Sequence, residues 1–243
     1  MRSVLTDVYM ASPHHRGYRI SKIDRITIHC TVGQCTAEAL GCWFQLPEIH
    51  SANYGIDRDG RILCAVDEDM ISVCSSSYAN DMRAVTIEVA SDTTHPYAVH
   101  EAAMTSLIRL VVDVCRRNGK SRVVWIPDKF RALAYDQPEE EMLLTVHRWF
   151  SSTLCPGEFL MQHMEEISTV STDLLTGEGS AMEKRYQKLE ECPEWARPTV
   201  RKLTRNGSLR GNELGLDLTT DMLRLLVIND REGLYDHNVD PMD

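Results

Sequence analysis

The first part of the chain alternates between the hydrophobic period of strands and that of helices. In residues 25–31 the apolar Ile26, Ile28 and Cys30 alternate with polar side chains, as in a half-buried strand. The same reasoning predicts five further strands, the first two of them joined by an Asp-Gly turn. These strands are residues 53–58, 61–66, 84–90, 123–126 and, from a weaker pattern, 143–147.

Helical periods fall between these strands. They predict helices over residues 36–46, with Thr36 as a possible N-cap, over residues 99–118, and from Pro156 to about residue 167. Because strands and helices interleave along the chain, the sequence predicts an α/β or α+β domain.

The pattern changes after residue 167. Residues 168–182 (STVSTDLLTGEGSAM) are rich in Ser, Thr and Gly and have no sustained apolar period, which predicts a linker. We therefore expect a larger domain over residues 1–167 and a small helical domain over residues 183–243.

Composition and charge narrow the class of protein. The 243 residues include 26 Lys+Arg and 36 Asp+Glu, for a net charge of −10. This balance argues against non-specific binding to nucleic acid and against attraction to an anionic membrane. The sequence has neither an apolar run long enough to span a bilayer nor the apolar core of a secretory signal. We expect synthesis in the reducing cytoplasm, where the eight cysteines are free thiols or metal ligands.

Three potential metal ligands stand at the ends of predicted elements. His29 lies on the polar face of its strand, and His147 and Cys155 are separated by a short loop that can return the thiolate toward the imidazole. Two His and one Cys meet the ligand count of a catalytic zinc site, which keeps its fourth position open for water. The spacing alone is weak evidence, because nine His and eight Cys offer many accidental triples.

Two other side chains have both a functional and a structural interpretation. Glu88 lies in mid-strand between Ile87 and Val89, where it is either a general base beside a metal-bound water or a solvent-facing edge residue. Tyr54 either donates to the oxyanion of a tetrahedral intermediate or packs its ring in the core.

Four segments, taken together, carry a family resemblance. They are ITIHCT, SANYGIDRDGRI, AVTIEVA and LTVHRWFSSTLCPGEFL, in that order. With them, about residues 20–165 resemble the zinc-dependent N-acetylmuramoyl-L-alanine amidases, a group that includes phage endolysins, T7 lysozyme and peptidoglycan recognition proteins. The resemblance implies a central mixed β-sheet flanked by helices, with Zn²⁺ in a groove that holds peptidoglycan.

The resemblance also implies roles for individual residues. It makes His29, His147 and Cys155 the zinc ligands, Glu88 the catalytic glutamate and Tyr54 the tyrosine beside the zinc.

Thr153 departs from the family pattern. Many relatives carry a Lys two residues before the Cys ligand, where it can stabilise the oxyanion, whereas Thr153 offers a hydroxyl without a charge. The substitution puts the oxyanion assignment in doubt more than the zinc assignment.

The resemblance therefore implies an endolysin-type hydrolase that uses a zinc-activated water to cut between N-acetylmuramic acid and L-alanine. We expect it to stay in the cytoplasm until it is released to the cell wall. Two alternatives are a non-catalytic module that binds peptidoglycan and a zinc peptidase that acts on stem-peptide bonds.

The small C-terminal domain has an open role. Trp195, Val200 and Leu203 fall at helical spacing and predict one helix, and Asp217 or Thr219 is expected to cap a second. The segment loosely resembles an S-layer-homology-like unit, which implies wall binding. A helical cap or a surface for homo-oligomer formation is the equally weighted alternative.

Overall fold

Two compact units make up the chain, Met1–Gly179 and Ser180–Asp243. The structure is a computed structural model and describes residues 1–177, 186–211 and 215–235. Within those ranges no helix combines the length and the apolar character that crossing a membrane requires.

A mixed sheet forms the centre of the first unit. Its strands are β1 (Val8–Tyr9), β2 (Arg25–Cys30), β3 (Tyr54–Ile56), β4 (Ile62–Cys64), β5 (Ala84–Val89), β6 (Arg122–Val124) and β7 (Glu141–Val146). They lie side by side in the order β1-β4-β3-β5-β2-β7-β6. Neighbouring strands are parallel except β3 and β4, which are antiparallel. The predicted mixed sheet is confirmed, with β5 and β2 near its middle.

Helices flank this sheet, as predicted. They are α1 (Ala37–Trp43), α2 (Tyr78–Asp81), α3 (Glu101–Arg117), α4 (Lys129–Leu133) and α5 (Gly157–Thr176). Thr36 caps α1, since its side chain accepts the backbone N–H of Ala39. Apolar side chains of α3 and α5 share one core with Ile26, Ile28 and Ile87 of the sheet. The opposite face of β2 and β5, which carries the polar residues of the alternating pattern, is therefore left for other contacts.

The prediction of a linker is wrong for residues 168–176, because α5 continues through Thr176. The Ser and Thr hydroxyls of this segment form hydrogen bonds within the helix and to the neighbouring strand. The Ser168 hydroxyl donates to the carbonyl of Val123 in β6, and the Thr172 hydroxyl donates to the carbonyls of Val123 and Ser168. Small polar side chains let the helix approach β6 closely while their hydroxyls stay hydrogen-bonded. The helix ends at Gly177, which has the left-handed φ of 77° typical of a helix stop. The remainder of the predicted linker, from residue 178, lies outside the described residues.

The second unit contains the two predicted helices, α6 (Arg197–Arg205) and α7 (Thr220–Arg231). Thr219, rather than Asp217, caps α7 by accepting the N–H of Met222. Val200 lies in a core with apolar side chains of α7, and Leu203 is also buried. Trp195 precedes α6 and is exposed, so its predicted place in this helix is wrong.

Arg19 holds the loop between β4 and β5 in place. Its guanidinium N–H groups donate to five backbone carbonyls, those of Glu68, Met70, Asp81, Met82 and Ala84. Burial lowers the pKa of Arg19 to about 10, so the group stays charged at neutral pH. One side chain therefore fastens both ends of a loop that passes over the polar face of the sheet.

Arg19→Ala should lower the free energy of unfolding by about 3–5 kcal/mol, because it leaves several buried carbonyls without a donor. The free energy of unfolding of Arg19→Lys should lie between those of Arg19→Ala and the wild type, since an ammonium has three donors for five acceptors. Urea unfolding of the full chain measures both. Equal stability of Arg19→Ala and the wild type would contradict this role.

Candidate active site

The carboxyl ends of β2, β5 and β7 bring three predicted site residues together. His29 lies directly opposite Glu88 in the register of β2 and β5. His147 follows the last residue of β7, whose Val146 pairs with Ile28. Ligands of open sheets commonly bind outside the carboxyl ends of parallel strands. The polar face predicted for these strands is thus the floor of a candidate site.

A buried hydroxyl pair lies beneath the two histidines. Thr27 and Thr145, each two residues before a histidine, are hydrogen-bonded through their hydroxyls at 2.8 Å, and neither is exposed to solvent. The amide of Asn80 donates to the Thr27 hydroxyl at 2.8 Å. Hydrogen bonds therefore fix the pairing of β2 and β7 immediately below the site.

The structure brings the predicted metal triple together. Cys155 Sγ lies 3.5 Å from His29 Nδ1, and the rings of His29 and His147 are 4.9 Å apart between centroids. One potential ligand atom from each of these three residues lies within 4.8 Å of the other two. The loop that follows β7 thus returns the thiol to the imidazole of β2.

The donor set suits Zn²⁺ in spacing and in charge. Two donors at the usual zinc distances of a tetrahedral site are roughly 3.5 Å apart, which is the separation of Cys155 Sγ and His29 Nδ1. Burial, together with the nearby His147, lowers the pKa of His29 well below its usual value, and burial lowers the pKa of His147. Both imidazoles are therefore neutral at pH 7, the form that binds a metal. Within the described part of the chain, the buried His29 Nε2 has no hydrogen-bond partner.

Glu88 lies inside the sheet, so the edge-strand interpretation is wrong. Its strand β5 is hydrogen-bonded to β3 on one side and β2 on the other, and the residue is only 9% exposed. Oε1 lies 3.8 Å from His29 Nδ1, and Oε2 has no hydrogen-bond partner among the residues that the structure describes. Burial raises the pKa of Glu88 well above its usual value. A buried carboxyl with a raised pKa beside potential metal ligands is a candidate for proton transfer.

Two residues of the site, Cys74 and Ser76, are not predicted from the sequence. The Cys74 thiol donates to Glu88 Oε1 at 3.8 Å, and Ser76 Oγ lies 3.3 Å from His147 Nε2. Cys74, His29 and Glu88 also form a second group of potential ligand atoms within 4.8 Å of one another. Both residues belong to the loop fastened by Arg19, and a run of serines with no periodic pattern carries no signal for this placement.

Tyr54 does not lie at the site, so its predicted place beside the zinc is wrong. It pairs with Ile87 in the register of β3 and β5, and its ring lies in the apolar core on the opposite face from Glu88. Its hydroxyl donates to the buried carboxylate of Glu68 and accepts the N–H of Ser3. Burial, and then the charge of Glu68, raises the pKa of Tyr54.

Thr153 does lie beside Cys155, one of the three potential metal ligands. Its Oγ1 accepts the N–H of Cys155 at 3.2 Å and so supports the loop that carries the thiol. A hydroxyl that accepts one hydrogen bond keeps its own proton free to donate.

Tyr54→Phe separates the two interpretations of this tyrosine. It leaves the Ser3 N–H without its partner and removes one donor from a carboxylate that Arg117 also binds. We expect the free energy of unfolding to fall by about 2 kcal/mol while catalytic turnover stays within about twofold of the wild type. Thermal or urea unfolding and a turnover assay on the same preparation measure both. A large loss of turnover at unchanged stability would restore the oxyanion role.

A family model described as Amidase_2, N-acetylmuramoyl-L-alanine amidase, matches residues 19–158. No curated protein sequence matches the chain. Among solved structures, the chain is similar to a mutant endolysin from Bacillus subtilis, with 14% identity and a TM-score of 0.48 over 67% of this chain and 96% of that one.

Two further solved structures have a similar degree of likeness. The N-acetylmuramoyl-L-alanine amidase LysC from Clostridium intestinale has 19% identity and a TM-score of 0.46, over 67% of this chain and 94% of that one. The Drosophila peptidoglycan recognition protein SA has 17% identity and a TM-score of 0.46, over 61% and 81% respectively. At these identities and TM-scores the structures carry no information on what this chain binds.

Proposed function

Because the chain belongs to the Amidase_2 family of N-acetylmuramoyl-L-alanine amidases, we propose that it is an endolysin-type peptidoglycan hydrolase. The bond cleaved is the amide between N-acetylmuramic acid and L-alanine. The observation that carries the proposal is the meeting of His29, His147, Cys155 and Glu88 at the carboxyl ends of neighbouring strands.

The proposed cofactor is Zn²⁺, held by His29, His147 and Cys155. When bound, it would supply Lewis acidity for the scissile carbonyl and for the attacking water. The three protein ligands contribute one negative charge in total if Cys155 binds as a thiolate, so much of the charge of the dication remains available to the substrate.

In this proposal Glu88 moves the proton. Its Oε2 has no partner within the described residues, so it is free to accept a proton from the attacking water. The same carboxyl then gives that proton to the departing nitrogen of alanine. The raised pKa of Glu88 suits this exchange, because a stronger base takes the proton more readily.

Thr153 is the remaining candidate donor for the oxyanion, because Tyr54 lies on the other face of the sheet. Its hydroxyl proton is not used by the hydrogen bond that Thr153 Oγ1 accepts from Cys155. Thr153→Val removes both this proton and the acceptor of the Cys155 N–H, whereas Thr153→Ser keeps both. A lower turnover of Thr153→Val than of Thr153→Ser at equal zinc content would support this role.

Digestion of purified peptidoglycan, with and without a chelator, tests the proposed function. Mass analysis should find glycan strands that stay intact and stem peptides with a new N-terminal alanine, in the zinc-containing sample only. New amino groups elsewhere in the stem would instead identify a zinc peptidase. Co-sedimentation with the wall without any release would identify a non-catalytic binding module.

The second unit is assigned one of two roles in this proposal. Attachment to the wall would raise the local concentration of the catalytic unit, and association with a second copy would make the enzyme a homo-oligomer. Sedimentation equilibrium of the full chain, and its co-sedimentation with peptidoglycan after zinc removal, distinguish the two roles. The enzyme acts at the wall, so a protein made in the cytoplasm requires release before it meets its substrate.

A further inference from the structure

A second thiol lies against the proposed metal ligand Cys155. Cys30 is the last residue of β2 and follows His29 in sequence. Its backbone N–H donates to Cys155 Sγ at 3.4 Å, across 125 positions of the chain. The thiols of Cys30 and Cys155 are also hydrogen-bond partners of each other.

The pair is distinct from the other cysteines of the chain. All eight cysteines are free thiols. Cys64 and Cys115 are buried among apolar side chains, and Cys42 is exposed on α1. Cys74 contacts a carboxylate rather than a thiol. The contact between Cys30 and Cys155 therefore joins a buried thiol to a half-buried one that solutes can reach.

We propose that Cys30 and Cys155 form an oxidation site, whose disulfide removes Cys155 from the metal-binding group. The proposal rests on the proposed function in one respect, the role of Cys155 as a metal ligand. The two thiols are already hydrogen-bond partners, and the Cys155 sulfur also accepts the backbone N–H of Cys30, so a disulfide requires no rearrangement of the sheet.

The oxidant is a small-molecule disulfide, RSSR. The Cys155 thiolate attacks one sulfur of RSSR, which forms a mixed disulfide at Cys155 and releases one RSH after proton uptake. Cys30 then attacks the Cys155 sulfur, so that the Cys30–Cys155 bond forms and a second RSH leaves. In total the two cysteines lose two protons and two electrons, and RSSR is reduced to two thiols.

The order of the two steps follows from exposure. Cys30 is only 7% exposed, whereas Cys155 is half-buried in a surface loop. The first attack therefore belongs to Cys155, and Cys30 resolves the mixed disulfide from within the structure. A Cys155 sulfur engaged by a metal is withdrawn from this chemistry, so zinc and oxidant compete for the same atom.

The test treats the full-length protein with oxidised glutathione after zinc removal and follows intact mass and proteolytic fragments. The wild type should lose two hydrogens and yield one cross-linked peptide that joins residues 30 and 155. Its zinc affinity, measured by competition with a chromogenic chelator, should fall more than tenfold and recover on reduction. Protein loaded with zinc before the oxidant is added should form the cross-link at least tenfold more slowly.

Cys30→Ser and Cys30→Ala are the matched variants, and two are used so that a folding defect in one does not decide the outcome. Both should keep the zinc affinity of the reduced wild type, and both should stop at a glutathione adduct on Cys155. Cys42→Ser should behave as the wild type. An adduct without the internal cross-link in the wild type, or a cross-link to another cysteine, would overturn the proposal.

The two proposals fail in different ways. A Cys30–Cys155 cross-link in a protein that neither binds zinc nor cleaves peptidoglycan would leave the oxidation site standing and overturn the proposed function. Zinc-dependent cleavage without any cross-link would support the proposed function and overturn the oxidation site.

Discussion

Cys155→Ala is expected to weaken zinc binding by more than ~100-fold and to bring peptidoglycan cleavage to background at limiting zinc. Loss of an outer-shell partner of a metal ligand already costs about 10–100-fold in affinity, and Cys155 is assigned to the inner shell. The variant would leave two neutral imidazoles and no anionic ligand in the group formed with His29 and His147. Metal content by atomic emission and turnover on purified peptidoglycan measure the two effects.

The controls for this variant lie within the chain. Cys42→Ala removes an exposed thiol of α1 and should change neither zinc content nor turnover. Cys155→Asp replaces the thiolate with a carboxylate, which is also a zinc ligand, and should retain part of the affinity. Full activity of Cys155→Ala at limiting zinc would show that the thiol is not a ligand.

Glu88→Gln is expected to keep zinc and to lose most turnover, by about 10²–10⁴-fold. The amide has nearly the shape of the carboxyl and still offers an oxygen to the Cys74 thiol, so the local packing is preserved. It cannot accept a proton from water or return one to the leaving nitrogen. The loss should appear in kcat, with KM little changed, because Glu88 is assigned to proton transfer rather than to substrate binding.

A matched change next to Glu88 separates its chemistry from its surroundings. Cys74→Ser keeps a donor beside Glu88 Oε1 and should reduce turnover far less than Glu88→Gln. Zinc content equal to that of the wild type in both variants is required for this comparison. A Glu88→Gln enzyme with wild-type turnover would remove Glu88 from the mechanism.

The alternation of apolar and polar residues along each strand predicts the part of the site that depends on local sequence. Alternation places His29 and Glu88 on the polar faces of their strands, and the structure puts them opposite each other. It does not fix how β3 is aligned with β5, and this non-local register decides which face Tyr54 occupies. A family motif does not correct that error, because it specifies the order of residues and not the face of the sheet on which a side chain lies.

Other differences between the predicted and the observed elements also have physical causes. The Ser- and Thr-rich segment after residue 167 has the composition of a linker, yet Ser168 and Thr172 satisfy their hydroxyls against Val123 and continue the helix. Strand β1 and helices α2 and α4 are too short to show a hydrophobic period. Cys74 and Ser76 reach the site only because their loop folds back over the sheet, and such a return is decided by tertiary contacts.

The buried Thr27–Thr145 pair has a consequence for how the protein responds to losing its metal. A slip of one residue between β2 and β7 would place these hydroxyls in the apolar core, so the register that sets His29 beside His147 is part of the folding energy of the sheet. The ligands are thus preorganised by strand pairing and not gathered by the ion. Chelation should leave the far-ultraviolet circular dichroism unchanged, whereas a small zinc domain that depends on its ion would unfold.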